Sequence, residues 1–250
     1  MRFCFLLCLF LFISPVMASE EQGDKPRNAY LGGGAYIQTQ PYAGADPIVL
    51  PSPVIFADNR LFYVRWTRVG MYVFGQQNWG VSITAQPRPF GYLASDAAIL
   101  NGMAERRTSW EAGLAIGGEN RYGFAEFTWF RDILDNSNGS LLRLELGKFI
   151  ERGKWTWVPS VYIIRFDDRF NDYYYGVRPD EARPGRPAYT ASAGFNFAAQ
   201  TYLKYSFTRN WHFLGNLRGD LLADTIKNSP LVDKGYMLSG LLSIMYSFEY

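Results

Sequence analysis

The sequence predicts an all-β fold: a closed antiparallel transmembrane β-barrel of twelve strands with both ends on one side. Three observations lead there. Apolar and polar side chains alternate with a period of two from about residue 28 onward, the signature of strands whose successive side chains face opposite ways. The connections alternate between short turns and long loops, as in barrels of the outer-membrane type. Finally, 17 Tyr, 19 Phe and 7 Trp among 250 residues exceed what a soluble core requires, while no apolar run after residue 18 could span a bilayer as a helix. A soluble sandwich is the alternative. It would hide its apolar face, whereas a barrel in lipid turns that face outward and encloses its hydroxyls and charges.

Residues 1–18 precede this pattern. A basic start at Arg2, the apolar run FCFLLCLFLFI and small residues at Val16 and Ala18 form a secretory signal peptide, so the mature barrel domain covers 19–250. The run is too short for a membrane anchor helix. Both cysteines, Cys4 and Cys8, lie in this leader, which excludes disulfides, thiol catalysis and thiolate metal sites from the exported chain. The mature chain carries 24 basic against 23 acidic residues, with no basic stripe to suggest nucleic acid.

The first strand, 28–38, is rich in glycine, and 41–51 reads as a loop. Strands at 52–57 and 60–66 meet at Asp58-Asn59, and strands at 69–76 and 79–90 meet at Gln77-Asn78. Residues 91–108 break the alternation and belong to an outer loop with room for a short helix. Beyond them Trp110, Leu114 and Ile116 face out against Glu111 and Gly113, and 118–120 turns the chain. Phe127 and Trp129 then oppose Glu126 and Thr128, and Leu142, Leu144 and Leu146 oppose Arg143 and Glu145. After a turn at 151–154, Trp155, Trp157, Val161 and Ile163 face out against Thr156, Ser160 and Tyr162. Residues 167–187 form the longest loop. The strand at 189–207 keeps its register longest and should project beyond the membrane. A turn at 208–210, a strand at 211–222, a loop at 223–235 and the closing strand at 236–250 complete twelve. The short turns all fall on the side of the two ends, the periplasmic side in such barrels.

Little in this pattern points to catalysis. His212 is the only histidine and faces inward beside Asn216, Arg218 and Asp220. No local nucleophile signature accompanies it, so a hydrogen-bonded lumen residue is the default. No cluster has metal-ligand spacing, and no cofactor is implied. The inward charges Glu111, Glu126, Arg143, Glu145, Lys204, Arg218 and Asp220 carry both signs. They either line a narrow water path or cross-link to close it, and twelve strands lie between filled and open barrels. Gly32-Gly33-Gly34 lacks the helix and Lys-Ser/Thr of a phosphate loop, and backbone crowding in a bent strand explains it better.

Three pieces carry a resemblance: P-Y-A-G at 41–44 before LPSPVIFADNRLFY at 50–63, the loop motif Tyr174-Tyr175-Gly176-Val177, and Ser229-Pro230-Leu231-Val232 ahead of an aromatic last strand. In that order they resemble the MltA-interacting protein/OmpV family of Gram-negative outer-membrane proteins across essentially the whole mature chain. The resemblance implies a non-enzymatic barrel in the outer membrane. It also implies a scaffold between a lytic transglycosylase and a penicillin-binding protein, in contact with outer-membrane lipid and without catalytic residues. The motifs either pack the outer loops or recognise a partner. A narrow small-solute channel and a surface adhesin acting through 91–108 and 167–187 are the alternatives.

Overall fold

The computed structural model describes residues 28–76, 78–88 and 91–249. The leader at 1–18, the segment 19–27 and the terminal Tyr250 lie outside the described residues. Thirteen strand segments form one sheet: β1 (Asn28–Gln38), β2 (Ile48–Asp58), β3 (Phe62–Arg65), β4 (Arg68–Gln76), β5 (Trp79–Arg88), β6 (Ser109–Asn120), β7 (Gly123–Asp132), β8 (Ser140–Gly147), β9 (Ile150–Arg152), β10 (Trp155–Phe166), β11 (Gly194–Ser206), β12 (Trp211–Leu221) and β13 (Tyr236–Glu249). β8 and β9 lie end to end against β10, interrupted at Lys148-Phe149, so the wall has the expected twelve staves. Every pairing is antiparallel, and β1 pairs with β13 from Asn28↔Glu249 to Gln38↔Ser239, which closes the sheet on itself. Closure removes the open edges that lipid cannot satisfy with hydrogen bonds.

The alternation fixes what each face does. Leu31, Ile83, Leu114, Trp157, Leu217 and Leu242 stand outward and exposed, forming an apolar belt. Ser82, Thr84, Thr128, Ser160, Asn196 and Asn216 point into the lumen and are buried. This is the inverse of a soluble sandwich, as a lipid-wrapped barrel demands. Both ends of the described chain lie at one end of the barrel with the short turns 59–61, 121–122, 153–154 and 207–210. The loops 39–47, 91–108, 133–139, 167–193 and 222–235 gather at the other. The glycine crowding in β1 is real: a Cβ on Gly32 would come within 2.1 Å of the Ile244 carbonyl oxygen across the β1–β13 seam.

Several boundaries differ from the sequence expectation. β2 begins at Ile48, inside the expected 41–51 loop, and carries Pro51 and Pro53. Proline belongs only on a strand edge whose N–H is not needed. That edge exists because β3 and β4 form a short hairpin: β2 pairs with β3 only from Phe56 to Asp58. The hairpin turns at Trp66-Thr67, with Trp66 at φ 58°, a left-handed conformation rare for a bulky residue. The turn after β6 falls at 121–122 rather than 118–120, because β6 pairs with β7 through Asn120↔Gly123.

β11 starts at Gly194, not 189, and β13 is the longest strand. The backbone just before it is claimed by the loops: Ala191 N–H donates to Asp172 Oδ1 at 3.0 Å and Ser192 N–H to Thr225 Oγ1 at 2.8 Å. The long loops contain two helices where the sequence predicts only loop: α1 (Asp168–Tyr175) and α2 (Asp224–Lys227). α1 starts where the Asp167 carboxylate accepts the Phe170 N–H at 2.8 Å, an N-cap that satisfies one of the orphan donors of the first turn. Residues 91–108 hold only a single 3₁₀ turn, Ala98–Leu100. No described helix is long and apolar enough to cross a membrane.

Candidate functional site: the lumen and its cap

The lumen encloses a cavity of about 820 Å³. Of the charges expected to face inward, Glu126, Arg143, Glu145, Lys204, Arg218 and Asp220 line this cavity and Glu111 is buried beside Arg88, in separate groups rather than one site. The largest group surrounds Glu126 on β7. Its carboxylate takes Arg68, Arg65 at 3.1 Å and Arg143 at 3.6 Å. Arg68 also donates to Thr84 Oγ1 at 2.8 Å and to the Tyr63 hydroxyl at 3.1 Å, which holds it against β5. Three guanidiniums thus share one carboxylate. Glu145 instead accepts the Tyr162 hydroxyl at 2.6 Å, and Gln200 donates to that hydroxyl at 3.0 Å. Arg218 and Asp220 pair along β12 at 2.6 Å, with the guanidinium 4.5 Å over the Tyr162 ring.

Lys204 donates to the Tyr30 hydroxyl at 3.2 Å. Glu111 is fully enclosed and held by Arg88 at 2.6 Å and by Gln86 at 3.0 Å. Arg65, Arg68 and Arg88 are not among the charges expected to face inward, although period two places Arg65 inward with Tyr63. A buried ion pair needs its partner, and counting bases against the inward acids would have found them. His212 is buried as expected: Nδ1 lies 2.9 Å from Ser206 Oγ and Nε2 3.0 Å from Ser247 Oγ, bridging β11, β12 and β13. Among the described residues no three His, Cys, Asp or Glu side chains are grouped to hold a metal ion.

The loop end is closed by a packed cap, and the three sequence motifs are its joints. Tyr174 and Tyr175 close α1 and are buried, and the Gly176 N–H caps the helix by donating to the Asp172 carbonyl at 2.9 Å. Val177 bridges to Tyr189 through two backbone bonds of 2.8 and 2.9 Å. The Ser229 hydroxyl donates to the Tyr175 carbonyl at 2.6 Å and accepts the Leu231 N–H at 3.2 Å. Leu231 is wholly buried, and its carbonyl accepts the Ala43 N–H at 2.9 Å, while Val232 bridges to Tyr42. Pro230 is half-buried between them. The Tyr42 hydroxyl then reaches the Tyr174 carbonyl at 3.2 Å, and its ring packs 4.9 Å from that of Tyr92. P-Y-A-G, Y-Y-G-V and S-P-L-V therefore meet in one aromatic cluster.

A second lock holds the cap's rim. Glu181 receives Arg106 at 2.9 Å, the Ala104 N–H at 2.9 Å and the Arg178 N–H at 3.1 Å. Burial would raise the Glu181 pKa, but these donors outweigh it and hold the carboxyl below its ordinary range. Burial pushes the Tyr92 hydroxyl up to about 12 and Tyr42 well above its usual value, so both stay neutral at any physiological pH. Arg186 is buried and spends its guanidinium on three carbonyls, Ile99 at 2.5 Å, Asn101 at 2.9 Å and Glu181 at 2.7 Å.

The chain matches the family described as MltA-interacting protein MipA over residues 31–248. It is 29% identical over 223 residues to the MltA-interacting protein of Escherichia coli (strain K12), spanning 88% of this chain and 89% of that protein. It is 27% identical over 142 residues to the outer membrane protein OmpV of Vibrio cholerae, spanning 57% of this chain and 55% of OmpV. With a closed twelve-stave barrel, a lipid-facing belt and a match from the first strand to the last, this chain is an outer-membrane β-barrel that belongs to the MltA-interacting protein family.

Proposed function

We propose that the barrel is a non-enzymatic scaffold that holds periplasmic murein enzymes at the outer membrane, with its turn end in the periplasm. What carries this reading is the contrast between the two ends. The loop end is shut by an apolar, hydrogen-bonded cap. The turn end presents exposed cations at Arg60, Arg121, Arg152, Lys154 and Arg209 together with Glu151 and Glu249, the last paired with Arg209 at 3.1 Å. Tyr122 stands among them at 70% exposure with the Arg121 guanidinium 4.6 Å over its ring. A basic rim steers acidic protein surfaces into contact, and an exposed tyrosine is the kind of side chain that anchors such a contact once made.

The Escherichia coli relative is named for its interaction with MltA. A lytic transglycosylase of that kind, and the penicillin-binding protein that the family resemblance implies, are the partners assigned to this end. Outer-membrane lipid is the partner of the belt. Affinity capture from native membranes tests the scaffold. A barrel with Arg60, Arg121, Arg152, Lys154 and Arg209 replaced by serine is expected to lose the transglycosylase recovered by the unaltered chain. Equal recovery by both would overturn the proposal.

A further inference from the structure

The wall is not continuous above the β3–β4 hairpin. β2 keeps its partner β1 up to Ile48, and β5 keeps its partner β6 up to Arg88. Between them the hairpin reaches only to Trp66-Thr67: β2 meets β3 no higher than Phe56, and β4 meets β5 no higher than Ala85. No described strand pairs with the facing edges of β2 from Ile48 to Val54 or of β5 at Pro87 and Arg88. The notch lies at the loop-end half of the wall, beside the lipid-facing Val49 and Val69.

The edges of this notch are built to stay open. The Ile55 carbonyl accepts the Trp66 N–H at 2.8 Å, so it points toward the hairpin. Residues two apart share that direction, so Pro51 and Pro53 turn their nitrogens into the notch. On the opposite side, the Trp110 carbonyl accepts the Ile133 N–H at 2.9 Å and so faces away from β5. Pro87 is paired with Trp110 and must likewise face away from β6, into the notch. Three prolines thus place missing donors on the two free edges. A further strand cannot add there, whether from this barrel or another.

The lumen cavity reaches this opening, since Leu50, Pro51, Trp66, Thr67 and Pro87 all line it. Pro51 and Pro87 belong to the outward side of their strands. Leu50 is an inward-facing leucine that remains 47% exposed, an apolar surface without a protein partner. Trp66 stands at the tip, its indole N–H on Ser52 Oγ at 2.9 Å and its ring against Tyr36 at 5.4 Å. Directly inside lie Arg65 and Arg68, which flank the turn, and Arg143 beside them. These three guanidiniums share the carboxylate of Glu126, with Glu145 its cross-strand neighbour beside Arg143, so guanidiniums outnumber carboxylates by three to two.

We propose that the notch is a lateral portal through which a single-chain anionic amphiphile from the surrounding leaflet enters the barrel. Its hydrocarbon chain lies across Leu50 and the proline edges, and its acidic head meets Arg65, Arg68 and Arg143. The chain's chemistry follows from the apolar, lipid-facing opening, and the head's from the surplus of guanidiniums over carboxylate behind it. A cavity of about 820 Å³ lies within the range that holds a small-molecule ligand. This inference is independent of any partner at the turn end.

The test uses the mature chain folded in liposomes with a long-chain fatty acid bearing a terminal diazirine, and the matching fatty alcohol as control. After irradiation, labelled peptides are mapped. The acid is expected to concentrate on residues 48–53, 66–69 and 86–88 over the belt surface at 217–221. Arg65→Gln is expected to lower that labelling about ten-fold, the effect of losing one charge-assisted contact, while labelling by the alcohol is unchanged. Leu50→Trp, which fills the opening, should reduce both. Even labelling around the belt by the unaltered protein would overturn the portal. Equal labelling by acid and alcohol, insensitive to Arg65→Gln, would overturn the anionic head.

Discussion

Glu126 sits where one missing charge would be felt by three neighbours. Replacing it by glutamine leaves Arg65, Arg68 and Arg143 facing one another without the carboxylate they share, and with only Glu145 opposite to offset them. Breaking a buried pair in this way costs about 3–5 kcal/mol, because the uncompensated charges remain. Urea unfolding of the barrel in vesicles is therefore expected to show a much lower midpoint for Glu126→Gln, and a near-native midpoint for Lys148→Gln at an exposed position. Glu181 makes a second prediction, about pH. Its folded carboxyl titrates below the ordinary value, so its contribution is complete above the ordinary carboxylate range and is lost as pH falls through the lowered one. Hydrogen exchange at Ala104 and Arg178, corrected for intrinsic rate, should show protection lost on acidification and already weakened in Glu181→Gln at neutral pH. At this scale the sequence showed the inward acids plainly, because period two leaves no freedom about facing. Arg65 and Arg88 keep the same period within the expected strands at 60–66 and 79–90, whereas Arg68 opens β4 one residue ahead of the expected strand at 69–76.

The cap is the element whose failure should be separable from that of the wall. Leu231 is wholly enclosed between Tyr42, the Ser229 hydroxyl and the end of α1, so Leu231→Ala removes packing worth about 2–5 kcal/mol at the point where the three motifs join. The ladder beneath is untouched. Proteolysis within 178–185 is expected to accelerate while the barrel still resists unfolding, and planar-bilayer recording should change from silence to intermittent conductance. Silence in the variant would mean that the mouth is sealed by something other than this joint. The strands were legible in outline since a ladder imposes one period over many residues. The two helices were not: eight and four residues fall below the window in which a period of 3.6 can be told from noise. β11 begins later than the alternation predicts for a related reason, because Ala191 and Ser192 keep the alternating pattern while their backbone bonds go to the cap.

For the whole molecule, the staves are joined by the closed ladder, since none of the described residues is a cysteine that could staple them. The belt, the polar interior and the division into long and short connections agreed with one another from end to end, which is why the architecture could be read from residues without a structure. The notch could not. Pro51 and Pro53 read locally as turn chemistry, and only the pairing of neighbouring staves reveals that their nitrogens face an edge with nothing to bond.

The seam between the first and last strands joins Asn28 to Glu249, partners at nearly opposite ends of the polypeptide. Such a contact is the most distant a chain can make, so it forms late and slowly. Until the final strand has been threaded into place, the nascent sheet offers two raw borders, each able to capture a wrong neighbour. A copy truncated before residue 236 is therefore expected to be recovered as aggregate or degraded fragment rather than as a smaller cylinder. Insertion becomes a single commitment, made only once translation has delivered the last dozen side chains.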